Sequence, residues 1–250
     1  MTRQPFELTG ADGKRIKGDR VEGTTRQVLF ITGFLSKRWG NKSKALAHWC
    51  QERGWGFCCY DVRGFGDSDG QFTDYTLSDW IADARTVLES MKSGPPVTIV
   101  GNSLGSWIAW LVAQEFPSVE ELILIAPAFN MMGERAKTIS KDRLHDWHTA
   151  GWMPWDDDSL HKDWLLAWKW VEESEQYWAK TFDIRRHVKT AILHGLDDAV
   201  IPPEGSRRFA NELRRREPSC PLDLRLIPGD HRLSSPEHLE LFRRLVMREV

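Results

Sequence analysis

The segment Gly101-Asn102-Ser103-Leu104-Gly105 sets a serine between two glycines, directly after the apolar run Val97-Thr98-Ile99-Val100. A helical pattern follows at once, with Leu104, Trp107, Ile108, Leu111 and Val112 on one face. A serine can occupy a sharp strand-to-helix turn only where its neighbours are nearly free of side chains, and Gly101 and Gly105 meet that need. The bare pattern is weak by itself; the strand before it and the helix after it give it weight. On such a turn Ser103 is a candidate nucleophile for a carbonyl carbon. A serine hydroxyl is a poor nucleophile at neutral pH, so it needs a base to take its proton and an acid to hold that base.

Both partners lie downstream, in the order serine, acid, histidine that a strand-to-helix serine uses. After the apolar run 190–193 comes His194-Gly195-Leu196-Asp197-Asp198-Ala199-Val200-Ile201-Pro202, and after 222–227 comes Pro228-Gly229-Asp230-His231-Arg232-Leu233. Chemistry in open α/β sheets gathers at the carboxyl ends of strands, where these loops can meet Ser103. His231 alone fits both the order and a strand-end loop. His48 and His238 sit in helical patterns, His145, His148 and His161 fall between 128 and 183, His187 precedes a strand, and His194 comes before the acid. Asp197 and Asp198 compete as the acid; Asp230 reads as a turn residue. A tetrahedral intermediate also needs N–H donors for its oxyanion. The backbone amides of Leu104, at the helix start, and of Phe34, in the loop after 28–32, are the candidates.

The elements that must position these residues alternate. Strand-like runs at 6–8, 15–21, 28–32, 56–60, 97–101, 121–125, 188–194 and 222–227 are interleaved with helical patterns at 43–52, 77–91, 104–116, 204–215 and 236–248. Such alternation predicts an α/β fold: a mostly parallel central sheet of about eight strands, with helices on both faces. The first two runs, joined through Ala11-Asp12-Gly13, suit an antiparallel hairpin at the sheet edge. The rhythm breaks between 128 and 183, where no strand is expected. We therefore expect a core of residues 1–127 and 184–250, with 128–183 as a helical cap inserted after the sixth strand.

That segment holds seven tryptophans: Trp147, Trp152, Trp155, Trp164, Trp168, Trp170 and Trp178. Some, with Leu165, should form the cap's own core, while others line an apolar pocket over Ser103. Trp152, Met153 and Trp155 are the pocket candidates, since Gly151-Trp152-Met153-Pro154-Trp155 is apolar, loop-like and without periodicity. His145 and His148, near Asp142 and Asp146, read as an exposed helix face rather than a metal site. Asp156-Asp157-Asp158-Ser159 reads as helix capping before a run from Leu160.

Composition narrows the partners. A chain of 250 residues suits one α/β domain with an insertion, and a formal charge of −2 excludes a polyanion-binding role for the whole surface, so no nucleic acid is expected. No run reaches the length of a membrane span, and the first ten residues lack a signal-type apolar stretch or a visible mitochondrial presequence. Cys50, Cys58, Cys59 and Cys220 lack metal-ligand spacing; Cys58 and Cys59, adjacent on a strand, should point to opposite faces as small apolar groups. The expectation is a cytoplasmic protein without a metal or other cofactor. Monomer and homodimer remain equally open.

Taken together, these residues resemble the α/β-hydrolase superfamily over nearly the whole chain, from Val28 to Val250. The stretches Thr32 to Ser36, Asn41 to Leu46, Tyr60 to Gly70, Gly101 to Gly105 and Gly229 to Leu233 are similar to the carboxylesterase group that includes the mitochondrial palmitoyl-protein thioesterase and acyl-glucuronide esterase. Two features depart from that group: Thr32 stands where many relatives carry His or Pro, and the cap is unusually rich in tryptophan. The G-x-x-D-x-x-V-P loop of such enzymes places the acid at Asp198, with Ile201 in the valine's position, and leaves Asp197 as a turn residue. The resemblance implies a carboxylesterase-type serine hydrolase, thioesterase activity included, acting through an acyl-enzyme on Ser103 with Asp198 and His231. Its expected substrates are small to medium esters, apolar or aromatic. The alternatives are another reaction of the same triad, such as carbon–carbon bond hydrolysis, perhydrolysis or lyase chemistry, and a non-catalytic binding module.

Overall fold

The structure, a computed structural model, describes residues 3–155 and 164–248. Eight strands form one sheet in the order β1 (Gln4–Thr9), β2 (Arg15–Val21), β4 (Gly56–Tyr60), β3 (Gln27–Ile31), β5 (Val97–Asn102), β6 (Val119–Ile125), β9 (Lys189–Gly195), β10 (Leu222–Ile227). From β4 to β10 all neighbours are parallel. The expected edge hairpin is present: β1 pairs antiparallel with β2 around Asp12-Gly13, and β2 pairs antiparallel with β4. The central strands read as unbroken apolar runs because both faces are covered, and Val97 to Gly101 are all buried. On the edge, β10 instead alternates between exposed and half-buried positions.

Helices divide between the faces by their apolar stripes. α2 (Leu77–Met91), α3 (Leu104–Ala113) and α7 (Glu204–Arg216) pack into one core through Trp80, Val87, Trp107, Ile108 and Phe209. α1 (Asn41–Glu52) and α8 (Pro236–Met247) close the other through Leu46, Trp49, Phe242 and Val246. Cys58 and Cys59 fall in these two separate cores, as strand alternation requires. Burial pushes the Cys58 thiol up to about 12, so it stays a thiol at neutral pH.

The chain between β6 and β9 carries α4 (Met131–Ala136), α5 (Lys141–Ala150) and α6 (Lys169–Lys180), and it also contains strands. β7 (Trp152–Pro154) pairs antiparallel with β8 (Leu165–Ala167), correcting the expectation of a strand-free segment. Three-residue strands are too short to show period-two patterning in sequence. The Trp147 indole donates to Leu166 O at 2.9 Å and ties α5 to this hairpin. Trp107 and Trp110 of α3 both reach Thr181, fastening the end of α6 to the core. The acidic run 156–159 and the helix expected from Leu160 lie outside the described residues, as does His161.

The loop after β4 is organised by a buried ion pair. Arg63, 1% exposed, donates from Nε to Asp83 at 2.6 Å and from its backbone N–H to the same carboxylate at 2.8 Å. Its guanidinium also meets Asp12 at 2.7 Å and lies over the Tyr75 ring. Such a pair adds little net stability when intact, but removing one partner strands a desolvated charge. Asp83→Ala is therefore expected to cost about 3–5 kcal/mol in urea unfolding. The apolar double replacement Arg63→Met with Asp83→Leu should recover most of that loss, and an Asp83→Ala cost below 1 kcal/mol would contradict the assignment.

Candidate active site

Ser103 sits between β5 and α3 with φ 54° and ψ −120°, a conformation that non-glycine residues avoid. Holding it there costs roughly 1–3 kcal/mol, so its surroundings must over-determine it. Ser103 N–H donates to Ile125 O at 2.8 Å, and Ala128 N–H donates to Ser103 O at 3.1 Å. Behind the turn, the Ser106 hydroxyl bridges the N–H and the carbonyl of Ile125, both at 3.1 Å. The flanking glycines are needed for contact: a Cβ at Gly105 would lie 2.2 Å from Thr32 O, and one at Gly101 2.4 Å from Ser106 Cα. α3 thus starts against the end of β3 with no room for a side chain.

The two downstream loops bring their residues to this serine. Ser103 Oγ and His231 Nε2 are 3.1 Å apart, and His231 Nδ1 donates to Asp198 Oδ2 at 2.7 Å. A carboxylate only accepts, so Nδ1 carries the proton and Nε2 is left to receive the serine's. Of the two competing acids, Asp198 is the buried one that meets His231. Asp197 is exposed and ties the loop after β9 to Gly229 N–H at 3.2 Å. Asp230 accepts from the amides of Arg232 and Leu233 at 3.0 and 3.1 Å, closing the turn that carries His231.

The surroundings of Asp198 set its charge. Burial acts to raise its carboxyl, but hydrogen bonds from His194, His231 and the Ile201 amide outweigh burial and hold it well below the usual carboxylate range. His194, fully buried, was set aside in the sequence because it precedes the acid. Its Nε2 lies 3.1 Å from Asp198 Oδ2 and 2.9 Å from Ile201 O, and its Nδ1 lies 2.7 Å from Ser206 Oγ. A carbonyl only accepts, so Nε2 carries a proton, and Nδ1 is hydrogen-bonded to the Ser206 hydroxyl. The signal was present: a histidine ending an otherwise apolar strand must find partners for both ring nitrogens, and Asp198 stands four residues on.

Of the two residues expected to supply oxyanion donors, Phe34 lines the cavity that Ser103 faces, while Leu104 directly follows Ser103 in the chain. The Leu104 N–H belongs to the first turn of α3, where it has no intrahelical acceptor. Among the described residues the Phe34 N–H donates to no backbone carbonyl. The Gly33 backbone packs directly against Ser103, since a Cβ there would lie 3.0 Å from Ser103 Cβ. Its loop is anchored by Arg38, whose guanidinium joins Asp19 at 2.7 Å, Asp67 at 2.8 Å and Asp61.

A cavity of about 820 Å³ opens over Ser103 and His231, with Phe34, Phe129, Met131, Trp155 and Ile201 among its apolar walls. Trp155 is at the wall, 5.1 Å from the Phe34 ring between centroids. Trp152 and Met153 are not, which corrects the expected pocket. They belong to β7, where successive side chains alternate, so Met153 points into the core and Trp152 is 42% exposed. Among the described residues no group of His, Cys, Asp and Glu is arranged to hold a metal ion.

Comparison with known proteins follows this geometry. Residues 24–155, more than half of the chain, match the model of the family "Serine aminopeptidase, S33". The mouse mitochondrial palmitoyl-protein thioesterase ABHD10 is 27% identical over 226 residues, covering 89% of this chain and 74% of that protein. The structure of mouse alpha/beta hydrolase domain-containing protein 10 superposes with a TM-score of 0.85 at 24% identity, covering 98% of this chain and 97% of the other. A putative hydrolase from Agrobacterium vitis S4 superposes with a TM-score of 0.90 at 22% identity over 99% of both chains. The expectation of a cytoplasmic protein is corrected by these relatives, since the mouse, cattle and human proteins of that name are all mitochondrial.

His194 meets the same Asp198 oxygen, Oδ2, that accepts from His231, so replacing it should disturb the alignment of His231. His194→Phe is expected to lower turnover of a chromogenic ester about 10- to 100-fold, mainly in kcat. His194→Gln keeps an N–H donor near the same point and should retain most of the rate. Equal rates for wild type and His194→Phe would refute this support.

Proposed function

Because this chain belongs to the serine aminopeptidase S33 family of α/β-hydrolases, and is an esterase-type hydrolase, we propose that it cleaves carboxylic esters, thioesters among them, through an acyl-enzyme on Ser103. The observation that carries this reading is the hydrogen-bonded series from Ser103 through His231 to Asp198, at 3.1 and 2.7 Å, on a serine held in a strained turn.

In this mechanism His231 Nε2 takes the Ser103 proton as Oγ attacks the carbonyl carbon. Asp198, ionised throughout, stabilises the imidazolium and fixes its tautomer. The amides of Phe34 and Leu104 receive the oxyanion, and the positive end of α3 favours the same charge. His231 then gives its proton to the leaving oxygen or sulfur, and water repeats the sequence on the acyl-enzyme. Residues 128–183 act as a cap on the core formed by 1–127 and 184–250, contributing Met131 and Trp155 to the cavity wall. The apolar wall suits small to medium acyl groups, aliphatic or aromatic. The named thioester activity of the mouse relative supports including thioesters.

A fluorophosphonate probe should label the wild-type protein and not Ser103→Ala. Ser103→Ala and His231→Ala should each lower kcat on 4-nitrophenyl butyrate by about 10⁴-fold or more, and Asp198→Asn by roughly 10³- to 10⁴-fold. Labelling of Ser103→Ala equal to wild type would sink the proposal. Comparing 4-nitrophenyl esters with acyl thioesters of matched chain length separates the two substrate classes.

A further inference from the structure

The sheet ends on one side with β10, so one row of that strand's backbone groups has no strand beside it. Pro221 O and Ile227 O, at its two ends, accept from Thr190 N–H at 2.9 Å and Leu196 N–H at 2.7 Å. Backbone groups of successive strand residues point to opposite sides. Those of the odd-numbered residues therefore face β9, and the N–H and C=O of Leu222, Leu224 and Leu226 face outward. Such a row is a template for pairing with another strand unless something on the edge blocks it.

The usual blocks are missing from β10. Its register with β9 runs without a bulge from Leu222 to Ile227, and Pro221 and Pro228 lie just outside it. The opposite edge of the sheet, β1, carries Pro5 within the strand. The charges on β10 are one acid and one base, Asp223 and Arg225, which share a face and meet each other at 2.7 Å with side chains 51% and 46% exposed. On the other face Leu222 and Leu224 are only half-buried against the core that holds Phe209 and Leu213 of α7. A formal charge of −2 gives two copies of the chain little reason to repel.

We propose that this edge pairs with the same edge of a second copy, giving a twofold homodimer whose two sheets join through antiparallel β10 strands. The strand is self-complementary about Leu224. A twofold axis there sets Leu224 against its own copy, Leu222 against Leu226, and Asp223 against Arg225 in both directions. The leucine positions are the ones whose N–H and C=O face outward, so they become the hydrogen-bonded pairs of the new ladder. Asp223 and Arg225 then occupy the non-hydrogen-bonded pairs, where Cα atoms are about 4.5 Å apart and opposite charges across the strands are favoured. A shift by one residue would set Leu224 against Arg225 and oppose outward-facing groups to inward-facing ones, so a single register is selected.

Sedimentation velocity of the full chain tests the pairing. At about 50 µM the wild type should sediment with twice the mass of one chain. Leu224→Pro removes the central outward donor without touching a bond to β9, and should sediment as a single chain. Asp223→Arg leaves cations at both exposed positions and Arg225→Asp leaves anions at both, so each alone should raise the dimer Kd about 10-fold or more. An equimolar mixture of these two variants again opposes unlike charges across the strands, and should recover the dimer as a heterodimer.

Circular dichroism checks that each variant is folded; if Leu224→Pro is not, the two charge variants, at exposed positions, decide the outcome. A wild type that sediments as a single chain at that concentration would overturn the inference. So would a dimer whose Kd is unchanged in both charge variants, which places the interface on another face, or a mixture that stays monomeric. The result stands apart from the esterase reading. Antiparallel joining puts the carboxyl ends of the two β10 strands, and with them the two Ser103 cavities, at opposite margins of the joined sheet, so mass rather than turnover is what the dimer changes.

Discussion

The strained turn at Ser103 is the constraint around which the molecule is arranged. A residue with φ 54° and ψ −120° persists only if every neighbouring element removes an alternative. β6 does so through Ile125, which accepts from the Ser103 amide and is gripped on both polar groups by Ser106. β3 does so by pressing its end against Gly105. These are the two strands that flank β5, so the turn is clamped by the parallel sheet itself. That is why a mostly parallel order, with strand ends in register on one edge, is a requirement of the site rather than its background.

Loops at that edge cannot be held by the sheet's apolar layers, and polar groups hold them instead. Arg38 joins Asp19, Asp61 and Asp67 and fixes the loop after β3; Arg63 joins Asp83 and Asp12 and fixes the loop after β4. Asp198 gathers His194, His231 and the amides of Val200 and Ile201 on one carboxylate. Each group is directional, so each loop has one position. The energetic gain is small compared with apolar burial, but the geometric precision is what proton transfer needs.

Much of this was legible in sequence because the signals were strong and local. The buried strands showed as continuous apolar runs, the helices as periodic stripes, and the turn as two glycines around Ser103. His231 was the candidate base from order and loop position, whereas the residues alone left Asp197 and Asp198 competing and only the resemblance to the hydrolase loop pattern favoured Asp198. What escaped depends on contacts that local patterns do not encode. The β7–β8 pairing is too short for periodicity, so Trp152 and Met153 read as loop when strand alternation sends one outward and the other into the core. His194 was hidden by chain order, since a residue preceding the acid can still reach the carboxylate oxygen that His231 uses once the loop turns back on β9.

Phe34 links the tryptophan-rich segment to the chemistry proposed for Ser103. Its backbone amide lies on the loop beside Ser103, while its ring sits among Phe72, Trp80, Trp155 and Trp170 at centroid distances of 5.1 to 5.7 Å. Two of those rings, Trp155 and Trp170, come from the segment between β6 and β9. Each such edge or tilted contact adds roughly 0.5–1.5 kcal/mol beyond burial, enough together to hold the Phe34 ring in place. Trp155 and Trp170 of that segment and the residue whose amide is proposed as an oxyanion donor are therefore one packed unit. A change in how the tryptophans pack reaches the proposed donor through a single residue, which ties the pocket wall to the proposed oxyanion site.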